Sequence, residues 1–220
     1  EFFQSRDRVW NYVVENIEAV IFDLDDTLYR QKDYVQSGLR AVANELPDIR
    51  NCYNRMCAAL EKGLLPIETV LREERMNSEE QIRKYLDIYI EHEPTIELYP
   101  SVIECFKTLR KKKMYIAVIT DGKPVMQRNK IKALGLEKYV DEILITDELA
   151  GHGNVHEFRK PNDIAYLIMR KRLNIALRNM AYVGEEADLD FEAPQKLGME
   201  CYQFISDDML YADPKEQIAR

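Results

Sequence analysis

Cysteine is scarce and badly spaced for metal or disulfide chemistry. The four cysteines fall at positions 52, 57, 105 and 201, with no CxxC pair. That argues against a zinc site and a disulfide framework, and leaves reduced thiols and a cytoplasmic location as the expectation. No apolar run approaches the roughly 20 residues that a membrane span needs, and no secretory pattern opens the chain, so no membrane partner is expected. A long basic stripe is also missing. Net charge is −8, and the densest basic run, Arg110-Lys-Lys-Lys113, reads as the solvated end of a helix. Nucleic acid is therefore not an expected partner, although a nucleotide stays open. Glycine and proline number eight each, and repeats and low-complexity segments are lacking. What is there is ordinary globular composition, 46% hydrophobic and 32% charged over 220 residues, enough for one large domain or a domain with an inserted module. The first residue is Glu1 rather than Met, which suggests a trimmed chain or a piece of a longer protein. Oligomeric state leaves no signature.

Hydrophobic patterning divides the chain by texture. Asp7–Asn16 carries Val9, Trp10, Val13 and Val14 at helical spacing. Ala19–Phe22 is a continuous apolar run, the pattern of a strand buried on both faces. From Tyr29 to about Tyr99 the pattern is helical. Val35, Leu39, Val42, Ala43 and Leu46 recur at three and four, Pro47 breaks the series, and helices are expected over 52–60, 66–75 and 78–91. Pro66 suits a first helical turn and Ser78 with Gln81 a capping box. After Pro94 apolar runs alternate with helical periods. Strands are expected at 114–119, 142–145, 181–184 and 201–205, with helices opening at Pro100, Pro124, Pro161 and Asp190. The βα alternation predicts an α/β fold, a parallel Rossmann-like sheet core, with an inserted helical cap subdomain. The expected boundaries are 1–30 and 95–220 for the core and 31–94 for the cap.

Polar residues collect where these strands end. The first strand runs into Asp23-Leu-Asp25-Asp26, the second into Thr120-Asp121-Gly122, and the fourth into Gly184-Glu185, with Asp188 and Asp190 beyond; Lys160 precedes the Pro161 helix. Taken singly, each has a plainer reading: an acidic turn capped by Asp26 or Thr27, a helix cap at Thr120, a solvated Lys160, an acidic helix start favoured by the dipole. Ligands of open α/β sheets bind at the carboxyl ends of strands, however, and these residues share that address. Carboxylates, a hydroxyl and a lysine together suit a phosphate and a hard cation. Mg2+ takes oxygen donors, which Asp23, the Asp25 backbone carbonyl and Glu185 would supply. Asp23 would then act as nucleophile, Asp25 as acid and base, and Thr120 and Lys160 as phosphate ligands.

In these four segments, Asp23-Leu-Asp-Asp-Thr27, Val118-Ile-Thr-Asp-Gly122, Arg159-Lys-Pro-Asn162 and Val183-Gly-Glu-Glu-Ala-Asp-Leu-Asp190, the chain resembles the haloacid dehalogenase (HAD) superfamily of hydrolases over roughly residues 18–205. The resemblance implies an Mg2+-dependent phosphatase acting on a small phosphorylated metabolite. Asp23 would form an aspartyl-phosphate, Asp25 would be the general acid and base, and Thr120 and Lys160 would bind phosphate. The helical insert would be a cap that selects substrate. Two positions depart from the family pattern. Glu185 stands where Asp is usual, with Asp190 as the alternative metal donor. Asp121 stands where Asn is common, adding charge beside the substrate. Asp25 itself argues against halide removal, because members doing that chemistry lack this second acid. The rival readings are a phosphate-binding or scaffolding module with a decayed site, and a phosphosugar mutase.

Other signals are weaker. His152 and His156 lie four apart between glycines and read as loop surface. Tyr85 and Tyr89 read as cap core. Tyr29 and Tyr34 sit where a cap hinge is expected and are candidates for substrate contact or hinge packing.

Overall fold

The computed structural model describes residues 16–151 and 153–205. The helix expected over Asp7–Asn16 and the side chain of His152 therefore lie outside the described residues. The described residues form two compact units: 16–29, 98–122, 137–151 and 153–205 in one, 30–97 and 123–136 in the other.

The first unit is built on a parallel sheet of five strands: β1 Ala19–Phe22, β2 Tyr115–Thr120, β3 Glu142–Ile145, β4 Met180–Gly184 and β5 Glu200–Gln203. They lie in the order β3-β2-β1-β4-β5, every pair parallel. Every residue of β1 and β4 is buried, the consequence of covering both faces of a parallel sheet. On one face Ile21, Ile119, Leu144 and Tyr182 pack with Ala165, Tyr166 and Met169 of a helix over Ile164–Leu173. On the other, Phe22 meets Phe106 edge-on at 5.4 Å between ring centroids. Phe106 belongs to the helix over Pro100–Lys111, whose proline occupies the first turn, where its missing N–H costs nothing. Order reverses between β1 and β4, and the crevice such a reversal opens lies at the carboxyl ends of the strands.

The second unit is helical: α1 Gln31–Asn44, α2 Cys52–Glu61, α3 Pro66–Glu73 and α4 Glu79–Glu91. Leu39, Val42, Met56, Ile67, Val70, Leu71 and Tyr85 form its own core. Tyr85 is thus a packing residue, as its spacing suggests. The capping box is made, with Gln81 N–H donating to Ser78 Oγ at 3.2 Å and Ser78 N–H to Gln81 Oε1 at 3.3 Å. The unit also takes in 123–136, the segment that βα alternation assigns to the core. Its helix α5, Pro124–Leu134, packs on α4 and ends at left-handed Gly135. Asn129 Nδ2 donates to the carbonyls of Glu91 and His92 at 3.0 and 3.1 Å, closing the end of α4. Tyr34 is buried here, with Lys130 Nζ 4.3 Å from its ring centroid.

Two helix starts differ from expectation. The Pro161 helix begins at Ile164, because 159–162 is a turn closed by Asn162 N–H on the Arg159 carbonyl at 3.0 Å. The helix expected from Asp190 is broken into Ala187–Asp190 and Glu192–Lys196. Pro194 has no N–H for the Asp190 carbonyl, which accepts from the Tyr166 hydroxyl at 3.4 Å instead.

Candidate active site

Four separate chain segments converge at the carboxyl ends of β1, β2 and β4. Asp23 follows β1 directly, its N–H extending the ladder to Val183 of β4 at 2.8 Å. The chain then turns tightly: Asp26 adopts φ 53°, a left-handed conformation that a short polar side chain tolerates, and Leu28 N–H closes on the Leu24 carbonyl at 3.0 Å. Within this turn the buried Tyr29 hydroxyl donates to the Asp25 carboxylate. Tyr29 therefore orients the second acid from within the sheet unit.

Lys160 joins the segments. Its ammonium donates to Asp23 Oδ1 at 2.5 Å, to Asp190 Oδ1 at 2.6 Å and to the Tyr182 hydroxyl at 3.2 Å. Only 8% of Lys160, 8% of Asp23 and 2% of Asp190 is exposed. Charges so deeply buried persist only when paired and hydrogen-bonded, so this lysine is no solvated surface residue. Burial pushes the Asp23 carboxyl up to about 7; Lys160 opposes the rise, and the Asp190 and Asp25 charges add to it. Burial alone would lower the Lys160 pKa, but Asp23 and Asp190 hold it above its ordinary value.

Asp190 reaches Lys160 because Gly184 makes room. A Cβ at Gly184 would run into the Asp190 carboxylate. Both carboxylate oxygens are engaged inside the protein: Oδ1 by Lys160 and by the Tyr182 hydroxyl at 3.3 Å, Oδ2 by the Glu186 N–H at 3.1 Å. Asp190 thus anchors Lys160. Asp121 is spent in the same way. Its Oδ1 accepts from Thr146 Oγ1 at 2.7 Å and its Oδ2 from the Lys160 N–H at 3.1 Å. It braces the lysine loop. Burial holds its carboxyl above the usual range, against the pull of Lys160 and the Thr146 bond.

Thr120 ends β2, 1% exposed, two residues beyond Val118, the partner of Phe22. Glu185 follows β4, half-buried, with its backbone carbonyl accepting from Gln203 Nε2 at 3.0 Å. Among the described residues no three His, Cys, Asp or Glu side chains gather in a metal-binding group. Mg2+ commonly needs only one or two carboxylates, the rest of its shell being water and substrate phosphate. Lys160 takes Oδ1 of Asp23 and leaves Oδ2, and Glu185 stands at the end of the adjacent strand. An oxygen-only set of this kind, carboxylates beside the ends of β1 and β4, suits a hard divalent cation.

Sequence reasoning missed Tyr166, Tyr182, Thr146, Asp147 and Arg159. Tyr182 was hidden among apolar strand residues, although its position two before Gly184 puts it on a defined face of β4. Exposed His156 sits in a short turn at Val155–Glu157 and belongs to no group of three metal-ligand side chains among the described residues.

Comparison with known proteins agrees with this architecture. Residues 20–204 match the family described as haloacid dehalogenase-like hydrolase. A glyceraldehyde 3-phosphate phosphatase of Methanopyrus kandleri is 26% identical, over 83% of this chain and 82% of that one. A phosphorylated carbohydrates phosphatase of Thermotoga maritima is 24% identical, over 84% and 83%. Among solved structures, the Bacillus subtilis HAD-hydrolase YfnB bound to magnesium superposes with TM-score 0.63 at 17% identity, covering 91% of this chain and 92% of that one. This last likeness speaks for the fold.

Proposed function

Because the chain belongs to the haloacid dehalogenase-like hydrolase family, we propose that it is an Mg2+-dependent phosphatase that hydrolyses a small phosphorylated carbohydrate through an aspartyl-phosphate on Asp23. The observation that carries this reading is the Lys160 ammonium held between Asp23 and Asp190 at the strand ends. The names of the relatives, a glyceraldehyde 3-phosphate phosphatase and a phosphorylated carbohydrates phosphatase, support a short sugar phosphate as the substrate class. The helical unit is the cap in this reading.

The proposed roles follow from position and chemistry. One oxygen of the Asp23 carboxylate attacks phosphorus. The P–O bond to the sugar breaks, and Asp25, oriented by Tyr29, protonates the departing alkoxide. Asp25 then takes a proton from water as that water attacks the aspartyl-phosphate, releasing inorganic phosphate and restoring Asp23. Lys160 and the Thr120 hydroxyl hold the phosphoryl oxygens, since phosphoryl transfer depends mainly on positioning and charge stabilisation. Asp23, Glu185 and the Asp25 carbonyl would hold Mg2+, which when bound neutralises charge between the nucleophile and the phosphate.

The test is phosphate release from a panel of phosphorylated carbohydrates with and without Mg2+. The wild-type protein should be metal-dependent, and Asp23→Asn should lose at least ~10³-fold in turnover. Undiminished metal-dependent turnover in Asp23→Asn would remove the nucleophile assignment.

A further inference from the structure

Lys160 is held at its tip by Asp23 and Asp190, but a long side chain is only as well placed as its backbone. The residue before it makes the second connection. Arg159 donates from Nε to Asp147 Oδ1 at 2.7 Å and from Nη2 to Asp147 Oδ2 at 2.6 Å, a bidentate fork. Asp147 directly follows Thr146, whose hydroxyl donates to Asp121, and Asp121 in turn accepts the Lys160 N–H. The bonds therefore close a ring. The dipeptide Arg159-Lys160 is tied to the dipeptide Thr146-Asp147 at both residues, directly on one side and through Asp121 on the other. Asp121 follows β2 and Thr146 follows β3, and these strands are paired at Thr120 and Ile145. The ring thus fastens the lysine loop to the sheet at the level where β2 presents Thr120.

We infer that Arg159 is a positioning residue that acts through Lys160, and that its fork with Asp147 sets the line along which the ammonium reaches Asp23. The inference rests on the phosphoryl-transfer reading above. The Arg159 side chain is 32% exposed and that of Asp147 only 5%. A planar guanidinium–carboxylate fork fixes both distance and orientation. Asp147 is a buried carboxylate with this guanidinium as its ion-pair partner, which gives the loop a unique seat. A displacement of about 1 Å in a group aligned on a reacting atom costs up to ~10²-fold in rate. Loss of the fork leaves the Lys160 charge in the site, so ground-state attraction for phosphate persists while alignment with Asp23 is lost.

The experiment compares Arg159→Ala, Arg159→Lys and Asp147→Asn with the wild-type protein, measuring kcat, KM, Tm and inhibition by orthovanadate. Arg159→Ala should lower kcat about 10- to 100-fold with KM within about twofold, and should weaken orthovanadate inhibition about tenfold. Asp147→Asn should behave alike, and Arg159→Lys should recover only part of the loss, because an ammonium cannot make the fork. A folded Arg159→Ala with kcat within twofold of wild type, or a fall in Tm alone, would overturn the inference. Asp23→Asn separates the two readings. If it is inactive while Arg159→Ala is fully active, only the positioning role fails; if Asp23→Asn turns over normally, the nucleophile assignment fails first.

Discussion

The sheet unit and the helical unit bury different things. In the helical unit the interior is mainly aliphatic and aromatic, drawn from Leu39, Val42, Met56, Ile67, Val70, Leu71 and Tyr85, with His92, Gln127 and Lys130 as its buried polar side chains. Its ion pairs lie at the surface, such as Arg55 with Glu73 and Glu74 at 2.6 Å. The sheet unit also has an apolar interior, but at its strand ends it buries Asp23, Thr120, Thr146, Asp147, Lys160 and Asp190. Burying charge costs several kcal/mol per ion unless each is paired, and a fold selected for stability alone would avoid it. The contrast is one of clustering: the helical unit buries one cation, Lys130, against the Tyr34 ring, whereas the sheet unit gathers several oppositely charged side chains in one place, which packing does not require.

That contrast can be broken experimentally. The largest combined effect on stability and turnover is expected at Lys160→Met, which removes the cation and leaves Asp23 and Asp190 without it. Turnover should fall by at least ~10²-fold, and stability by about 3–5 kcal/mol, as for a buried pair deprived of one partner; urea denaturation and phosphate release read the two. A fully stable Lys160→Met would mean that the ionic cluster costs less than its burial implies. Met56→Ala, in the middle of the helical core, should cost about 2–5 kcal/mol in the same denaturation experiment, with turnover per folded molecule on a small aryl phosphate kept within a few-fold. A loss of turnover as large as that of Lys160→Met would erase the distinction between the units. Ser78→Ala removes one half of the capping box and should lower stability by about 1 kcal/mol, with no change in kcat; differential scanning calorimetry and a steady-state assay are sufficient.

Much of this arrangement is legible in the chain. Continuous apolar runs followed by acid mark β1 and β4, and Pro66, Ser78 with Gln81, Pro124 and Gly135 mark helix ends because each acts through its own backbone or its nearest neighbours. Asp23 is legible for the same reason, standing at the end of a strand that the apolar run defines, whereas Lys160 lies in a turn ahead of the helix and is picked out by its place in the Arg159-Lys-Pro-Asn162 segment. The roles of Asp121 and Asp190 were not. Asp121 accepts from Thr146 and Lys160, 25 and 39 residues away, and Asp190 from Lys160, 30 residues away, as well as from its near neighbour Glu186. The grouping of 123–136 with the helical unit was hidden as well, because it depends on Asn129 meeting the end of α4, 37 and 38 residues away in sequence.

Local physics along the chain thus determined the strand-and-helix alternation, the caps and the address of the reactive groups, since these depend on periodicity and on neighbours within a few residues. Only the tertiary structure decided which acid serves which partner. A carboxylate looks the same in sequence whether it faces a metal, a lysine or a backbone N–H, and its role is settled by what long-range folding brings within 3 Å of each oxygen. Lys160, 137 residues from Asp23 and 30 from Asp190, is where that decision was made.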